Sequence, residues 1–494
     1  MLSLIVFLPL AAAAVLAAST GVPDRVARWA WLAVTVAELG LVGAAVAAYE
    51  TPPAGGLAFE ERARWIPSVG SSYHVGVDGL SLPLLALTAV VFCACAVYAL
   101  REQRRPRVQA ALFCFLQSVC LGVFVAQDLI LFFLFFDLSI VGMYAVIAGW
   151  GHGDAGRSAL KFFLYTFLGS LALLLGFIGL YLAAEPNTFD IPELVAAAPL
   201  ADDPVVGGLV LGAILLGLAV KTPTVPFHTW LPPAHTDAPA IGSAVLAAVL
   251  LKLGTYGFVR IAMPMLPGAW RAWAWVVITI GVVSVLYGAL VALAQTDVKR
   301  MIAYTSVNHM GYVVLGVGAA GLAGDAAARE VAVTGAVTQM VSHGLITGAL
   351  FLLAGVLQDR RGSYEMAEYG GLAAPAPRFA ALFAIGAFAS LGLPGFSGFV
   401  AEFQVFAGAI GTAAAVAVAL PGILITAALF LRAIQRLLTG PTGGRSVDFP
   451  DLRVREAAPV GGLLVLALLI GVVPWPLLDL ITPGSAAVVD LVSR

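Results

Sequence analysis

Four ionisable residues stand near the middle of long apolar stretches: Asp137, Lys221, Lys252 and Glu402. A charge in the hydrocarbon of a bilayer costs roughly 2.5 kcal/mol or more on insertion scales, so such residues usually mark ion paths, proton relays or counter-ions. Desolvation favours the neutral form of a buried group and an opposite charge favours the ionised form. A buried lysine with a movable carboxylate partner can therefore switch near neutral pH, whereas arginine keeps its proton. The residues one turn away are uncharged: Phe133, Ile140 and Val141 around Asp137, and Ala248, Thr255 and Tyr256 around Lys252. Any charge partner must come from another helix. The plain alternative is a static ion pair that fixes helix packing.

Titratable groups of a second kind lie nearby. Thr305, His309 and Tyr312 fall on one helical face, and His343 follows Gln339 by one turn. These histidines suit a proton relay, and haem ligation or simple core packing would use the same residue type. His228 is a further relay candidate. Lys161, at the end of an apolar stretch, and Glu38, inside another, are possible accessories. His152 and His235 read as loop residues, and Lys299 as part of a basic loop.

Two of the apolar stretches are interrupted. The run 221–233 carries Pro223 and Pro226, then Pro232 and Pro233, and the run 391–402 carries Gly392, Pro394, Gly395 and Gly398. Proline removes a backbone donor and pushes the preceding residue out of helical geometry. Backbone groups freed at membrane depth need protein or water partners. Broken helices at matching places in two halves of a chain point to a transport path.

The chain of 494 residues is 61% apolar and 11% charged, with a net charge of −2. That excludes a water-facing globule, a disordered chain and a nucleic-acid binder, and leaves an all-α polytopic membrane protein. Stretches of about 20 apolar residues predict fourteen spans, with breaks in spans 7 and 12. The breaks lie five spans apart, an odd offset, so spans 4–8 and 9–13 read as an inverted repeat. The expected organisation is 1–107 (helices 1–3), 108–262 and 273–432 (the two five-helix units), and 433–494 (a cytoplasmic loop and helix 14). Alternate loops hold 18 basic residues against 6 for the other set and the termini, which places the basic set in the cytoplasm and both termini outside. Cys93, Cys95, Cys114 and Cys120 lie in apolar helices, and no metal, iron–sulfur or nucleotide motif is present.

The run Lys221-Thr-Pro-Thr-Val-Pro-Phe-His-Thr-Trp-Leu-Pro-Pro-Ala-His-Thr-Asp-Ala-Pro239 resembles the signature of the antiporter-like subunits of respiratory complex I (NADH:quinone oxidoreductase) and their relatives. Gln295–Tyr312 and Ser342-His-Gly-Leu345 resemble further blocks of that family. The short tail is unlike its L-type members, and Glu402 is unlike the lysine of its N-type and Mrp D-type members, so the likeness is greatest to the M-type branch. The resemblance implies a non-redox, proton-translocating subunit of a larger enzyme in the bacterial cytoplasmic (inner) membrane. Its partners would be antiporter-like L and N chains and small membrane subunits. NADH, FMN, iron–sulfur clusters and quinone would belong to other subunits, and this chain would hold no cofactor or metal. Lys221, Lys252, His309, His343 and Glu402 would match the family's proton-path residues. Membership of an Mrp cation/proton antiporter or a membrane-bound hydrogenase is the alternative. One departure stands out: the family's helix-5 glutamate is Asp137 here, one methylene shorter.

Overall fold

The computed structural model describes residues 1–53, 55–101 and 104–494. The chain runs α1 (Leu2–Ala18), α2 (Asp24–Ala47), a hairpin of β1 (Ala58–Ile66) and β2 (Ser71–Val77), α3 (Leu82–Ala99), α4 (Pro106–Val125), α5 (Leu129–Trp150), α6 (Ala155–Ala183), the short α7 (Ile191–Ala197) and α8 (Pro204–Lys221). It continues through α9 (Leu231–Asp237), α10 (Ala240–Met265), α11 (Pro267–Ala294), α12 (Val298–Ala319) and α13 (Ala326–Arg361). It ends with α14 (Pro377–Ser390), α15 (Ser397–Thr412), α16 (Pro421–Leu437), α17 (Val454–Val472) and α18 (Trp475–Ser493).

Each of the fourteen expected spans corresponds to helix in the structure, but by length and apolarity 12 segments qualify among the described residues. The shorter α1 and α14 fall outside that set. So does α12, where Thr305, Ser306, Asn308 and His309 dilute the apolar residues. The breaks come where the prolines and glycines predicted them. α8 stops at Lys221 and helix resumes at Leu231, while α14 and α15 are separated by 391–396. α13 is the axis of the molecule, 36 residues long and so about 54 Å, and its apolar window is entirely buried. On the outside, Leu168, Leu175 and Leu182 line the exposed face of α6 at seven-residue spacing, as a lipid-facing helix requires.

Two elements were not foreseen. The antiparallel hairpin β1–β2 docks on the start of α5 through Asp128. That carboxylate accepts from Ser71 Oγ at 3.0 Å, Ser72 N at 2.9 Å, Ile130 N at 2.9 Å and Leu131 N at 3.1 Å, so it caps the helix and holds the hairpin together. The tail expected to follow the last span is a further helix, α18. By composition it could cross a membrane. Its contacts show that it lies across the hairpin end instead: Leu480 and Gly484 meet Gly79 and Leu80 at the start of α3, while the Val492 carbonyl accepts from Arg271 near the start of α11.

The hairpin also carries a titratable contact. His74 Nδ1 lies 2.6 Å from Asp190 Oδ2 and its Nε2 lies 2.9 Å from Glu60 Oε1. Burial pulls the His74 pKa down, but the two carboxylates outweigh it and hold the group above 6.5. A raised folded-state value stabilises fully below the unfolded value and is lost as pH rises through the folded one. Docking of the hairpin is therefore expected to be strongest below pH 6.5 and to loosen above the raised value. Amide exchange across 58–77, compared with His74→Gln, checks this; identical pH profiles in the two proteins would contradict it.

Candidate functional site

The prolines that end α8 leave Lys221 as its last residue, buried, beside α5. Its Nζ donates to Ser139 Oγ at 2.9 Å and lies 4.7 Å from the centre of the Phe136 ring. Ser139 Oγ in turn donates to the Phe136 carbonyl at 2.6 Å. No Lys221–Asp137 ion pair is present among the described residues. Asp137 is half-buried, within electrostatic reach of Lys221 and beside Ser170, and its Oδ1 is enclosed without a hydrogen-bond partner. Ser139, two residues on, is the group that Lys221 meets.

α10 brings Lys252 to the end of α8. At their crossing, a Cβ on Gly254 would lie 2.5 Å from Thr222 Oγ1 and 3.1 Å from Lys221 Cβ, so only glycine allows this approach. Lys252 sits between two π-type turns, Leu246–Leu250 and Phe258–Ala262, a local distortion often found at functional sites. Its Nζ donates to the Ala247 carbonyl and to His343 Nδ1, both at 2.6 Å. With Nδ1 accepting, His343 carries its proton on Nε2 and donates to Ser306 Oγ at 3.1 Å; the tautomer is assigned from this network. Both ring nitrogens are thus engaged, which argues against haem ligation by His343.

The His343 and His309 rings meet edge to face at 5.4 Å between centres. His309 Nε2 is 3.8 Å from Glu402 Oε1, too far for a direct hydrogen bond. A cavity of about 10 Å³ lies between them, bounded by His309, His343, Gln339, Ser342, Ser390 and Glu402. That is about the space one water needs; polar side chains border it, together with Ile346 and Ala389. Glu402 packs against the helix break itself. Gly392 has φ +77°, and a Cβ there would sit 2.8 Å from Glu402 Oε2.

The other candidates are set apart. Tyr312 is buried 5.9 Å from the His309 ring and packs on Phe406, but its hydroxyl is enclosed without a partner. His228 is buried with its ring 5.1 Å from Tyr287 and 6.2 Å from Tyr304. Lys161 is exposed on α6, and Glu38 is buried in α2 with neither carboxylate oxygen partnered. Two residues read from the sequence as loop are buried completely: His235 and Lys299. The signal that could have found Lys299 is the scarcity of lysine. Only four stand among 26 basic residues, and three of these four are buried. Among the described residues no cluster of three or more His, Cys, Asp or Glu could hold a metal ion.

Residues 126–429, which contain this whole line of groups, match the family described as NADH:quinone oxidoreductase/Mrp antiporter, transmembrane. The chain belongs to that family. NADH-quinone oxidoreductase subunit M of Rhodobacter capsulatus is 41% identical over 99% of this chain and 96% of its own. F(420)H(2) dehydrogenase subunit M of Methanosarcina mazei is 38% identical over 92% of each chain. Among solved structures, a chain of respiratory complex I from Thermus thermophilus with bound NADH superposes with a TM-score of 0.90 at 29% identity, covering 100% of both chains. The quinone oxidoreductase/Mrp antiporter fold is therefore shared over the whole length, including the hairpin and α18.

Proposed function

We propose that this chain is a proton-translocating, non-redox M-type membrane subunit of a NADH:quinone oxidoreductase. One observation carries the reading: Lys221, Lys252, His343, His309 and Glu402 lie in sequence across the buried middle of the chain, on and between the two broken helices. Likeness to subunits named M supports it. In this reading 108–262 and 273–432 are two inverted five-helix units, each holding one break. The hairpin end and both termini face outward from a bacterial cytoplasmic membrane, and antiporter-like L- and N-type chains are the neighbours. NADH, FMN, iron–sulfur clusters and quinone reside in other subunits.

The chemistry follows from the contacts. Lys221 on Ser139 is the open arrangement, and movement of Nζ to Asp137 closes it. Closing favours the protonated lysine, and opening releases its proton towards Lys252 across the Gly254 crossing. Lys252 delivers its proton to His343 Nδ1, and Nε2 releases one in turn. His309 passes it through the small cavity to the Glu402 carboxylate, from which it leaves on the outer side. The driving signal is a conformational change from a neighbouring subunit.

Glu402→Gln keeps the shape and removes the acid. The complex carrying it, reconstituted in vesicles with its own donor and quinone, is expected to lose proton uptake per electron by at least about tenfold, since positioned acid–base groups contribute ~10²–10⁴-fold. Unchanged pumping would reject the path. Accessory roles for His228, Lys161, Tyr312 and Glu38 remain part of the proposal as side groups rather than members of the line.

A further inference from the structure

The line above starts at buried groups and needs an entry from the cytoplasm; besides Lys221, a second set of unassigned polar groups adjoins Lys252, between it and the arginine-rich end of the bundle. Lys299, in the first turn of α12, is fully buried. Its Nζ donates to the Ala238 carbonyl at 2.5 Å, the Thr236 carbonyl at 3.3 Å and the Tyr364 hydroxyl at 3.1 Å. These acceptors are neutral; among the described residues no carboxylate lies within ion-pair distance of this cation, while Asp297 and Asp237 stand within electrostatic reach of it. Tyr364, with His152, Arg101, Tyr98, Trp150 and Gln358, lines a partly open polar cavity of about 130 Å³, room for several waters. His152 Nε2 is enclosed beside it without a protein partner.

On the inner side of Lys299, the two carbonyls that hold it come from the turn just after His235. The His235 ring is stacked on Phe351 at 4.4 Å. It lies within electrostatic reach of Lys299, Lys252 and His343, and neither ring nitrogen has a hydrogen-bond partner. Phe351 is eight residues along α13 from His343, about 12 Å of rise. Midway between them along the helix stands Thr347, whose buried hydroxyl also lacks a protein partner and which lines the small cavity shared with His343, His309 and Glu402. Buried polar atoms are almost always paired with protein or water, so unpaired atoms at three steps along one line mark a wet path.

We propose that the polar cavity at Tyr364, Lys299, His235 and Thr347 form the entry limb through which cytoplasmic protons reach Lys252, an inference that rests on the proton-path reading above. A proton from cavity water passes by the Tyr364 hydroxyl to the neutral Lys299 amine. The Lys299 ammonium gives one proton to His235, and the imidazolium releases the proton of its other nitrogen along water beside Thr347. The acceptor is Lys252, neutral after passing its own proton to His343. Each group ends with the number of protons it began with, and His235 returns to its starting tautomer by turning its ring.

The competing role for Lys299 is a static anchor between α12 and the α9–α10 turn. The assembled complex in vesicles separates the two. Lys299→Arg keeps the cation and the donors but cannot release a proton. His235→Phe keeps the stacked ring, and Thr347→Val keeps the shape. Lys299→Met, Lys299→Arg and His235→Phe are each expected to cut proton uptake by about tenfold or more, with Thr347→Val lower in the same direction and assembly unchanged on native gels. Wild-type pumping by Lys299→Arg would show an anchor and overturn the proposal, as would wild-type pumping by His235→Phe. Should a Lys299 variant fail to assemble, unchanged pumping by His235→Phe overturns it and reduced pumping by that assembled variant upholds it. Glu402→Gln run alongside distinguishes the two levels. If Glu402→Gln pumps normally, the parent reading fails; if it is silent while the entry variants pump, only the entry limb fails.

Discussion

Lys252→Met is expected to abolish redox-linked proton uptake while leaving the complex assembled. Methionine has nearly the length of lysine and fills the same slot. It removes the donors to the Ala247 carbonyl and His343 Nδ1 and the only group at that place able to carry a proton. Replacing a buried ion by a well-packed apolar residue is often neutral or stabilising, so loss of function and loss of fold should separate cleanly. The expected fall in pumping is at least ~10²-fold, typical for removal of a positioned acid–base group. Lys252→Arg should not restore it, because the arginine proton does not leave. The ratio of protons moved to quinone reduced is the measurement. A wild-type ratio for Lys252→Met would remove Lys252 from the mechanism and with it the central step of the line.

The second large effect is on stability and lies at the opposite end from the hairpin. Glu456, at the start of α17, accepts from Arg101 Nη1 at 2.8 Å, Arg360 Nη2 at 2.6 Å and its own helix cap, Arg453 N, at 2.9 Å. One carboxylate thus joins the ends of α3, α13 and α17. Its side chain is 2% exposed and those of Arg101 and Arg360 are 17% and 13% exposed. Glu456→Ala would leave two arginines without this partner, although Arg101 keeps its contact with Asp359. Breaking a buried pair typically costs 3–5 kcal/mol, and partial exposure of the arginines puts the expectation at the lower end, about 3 kcal/mol. Thermal unfolding of the complex, followed through retention of this subunit, should show a clear drop. Glu456→Gln should fall between it and the native protein. Equal thermal midpoints for Glu456→Ala and wild type would show that the junction is held by packing alone.

The membrane-crossing plan was legible because hydropathy and helix breakers act locally. The stops at Lys221 and near Gly392 follow from prolines and glycines within a few residues. The five members of the candidate line, and Asp137 beside it, were legible for a related reason, since a charge or imidazole inside an apolar stretch is conspicuous without knowledge of its neighbours. What could not be read is what depends on distant residues. His343 finds Lys252 across 91 positions, and Lys299 finds Ala238 across 61. That Lys221 meets Ser139 across 82 positions depends on how α5 and α8 pack, not on spacing. Lys299 follows the last loop residue so closely that topology explained it fully, and only burial revealed otherwise. The hairpin was hidden by its charge: Glu60, Glu61, Arg62 and Arg64 in β1 do not alternate with apolar residues as a half-buried strand would.

A regular helix uses its carbonyls to bond itself and has little left for a guest. Lys252 takes a carbonyl from a π-type turn of its own helix, and Lys299 takes one from the last turn of α9 and one from the connection between α9 and α10. The protein interior thus makes a hydration shell for these ammonium groups out of main chain rather than water. Beyond His343 and Tyr364, which complete it, such a shell has no side chain to mutate. It is set by the irregularity of the backbone, so a change that restored an even helical pitch around Lys252 would dry the site without touching one of its residues.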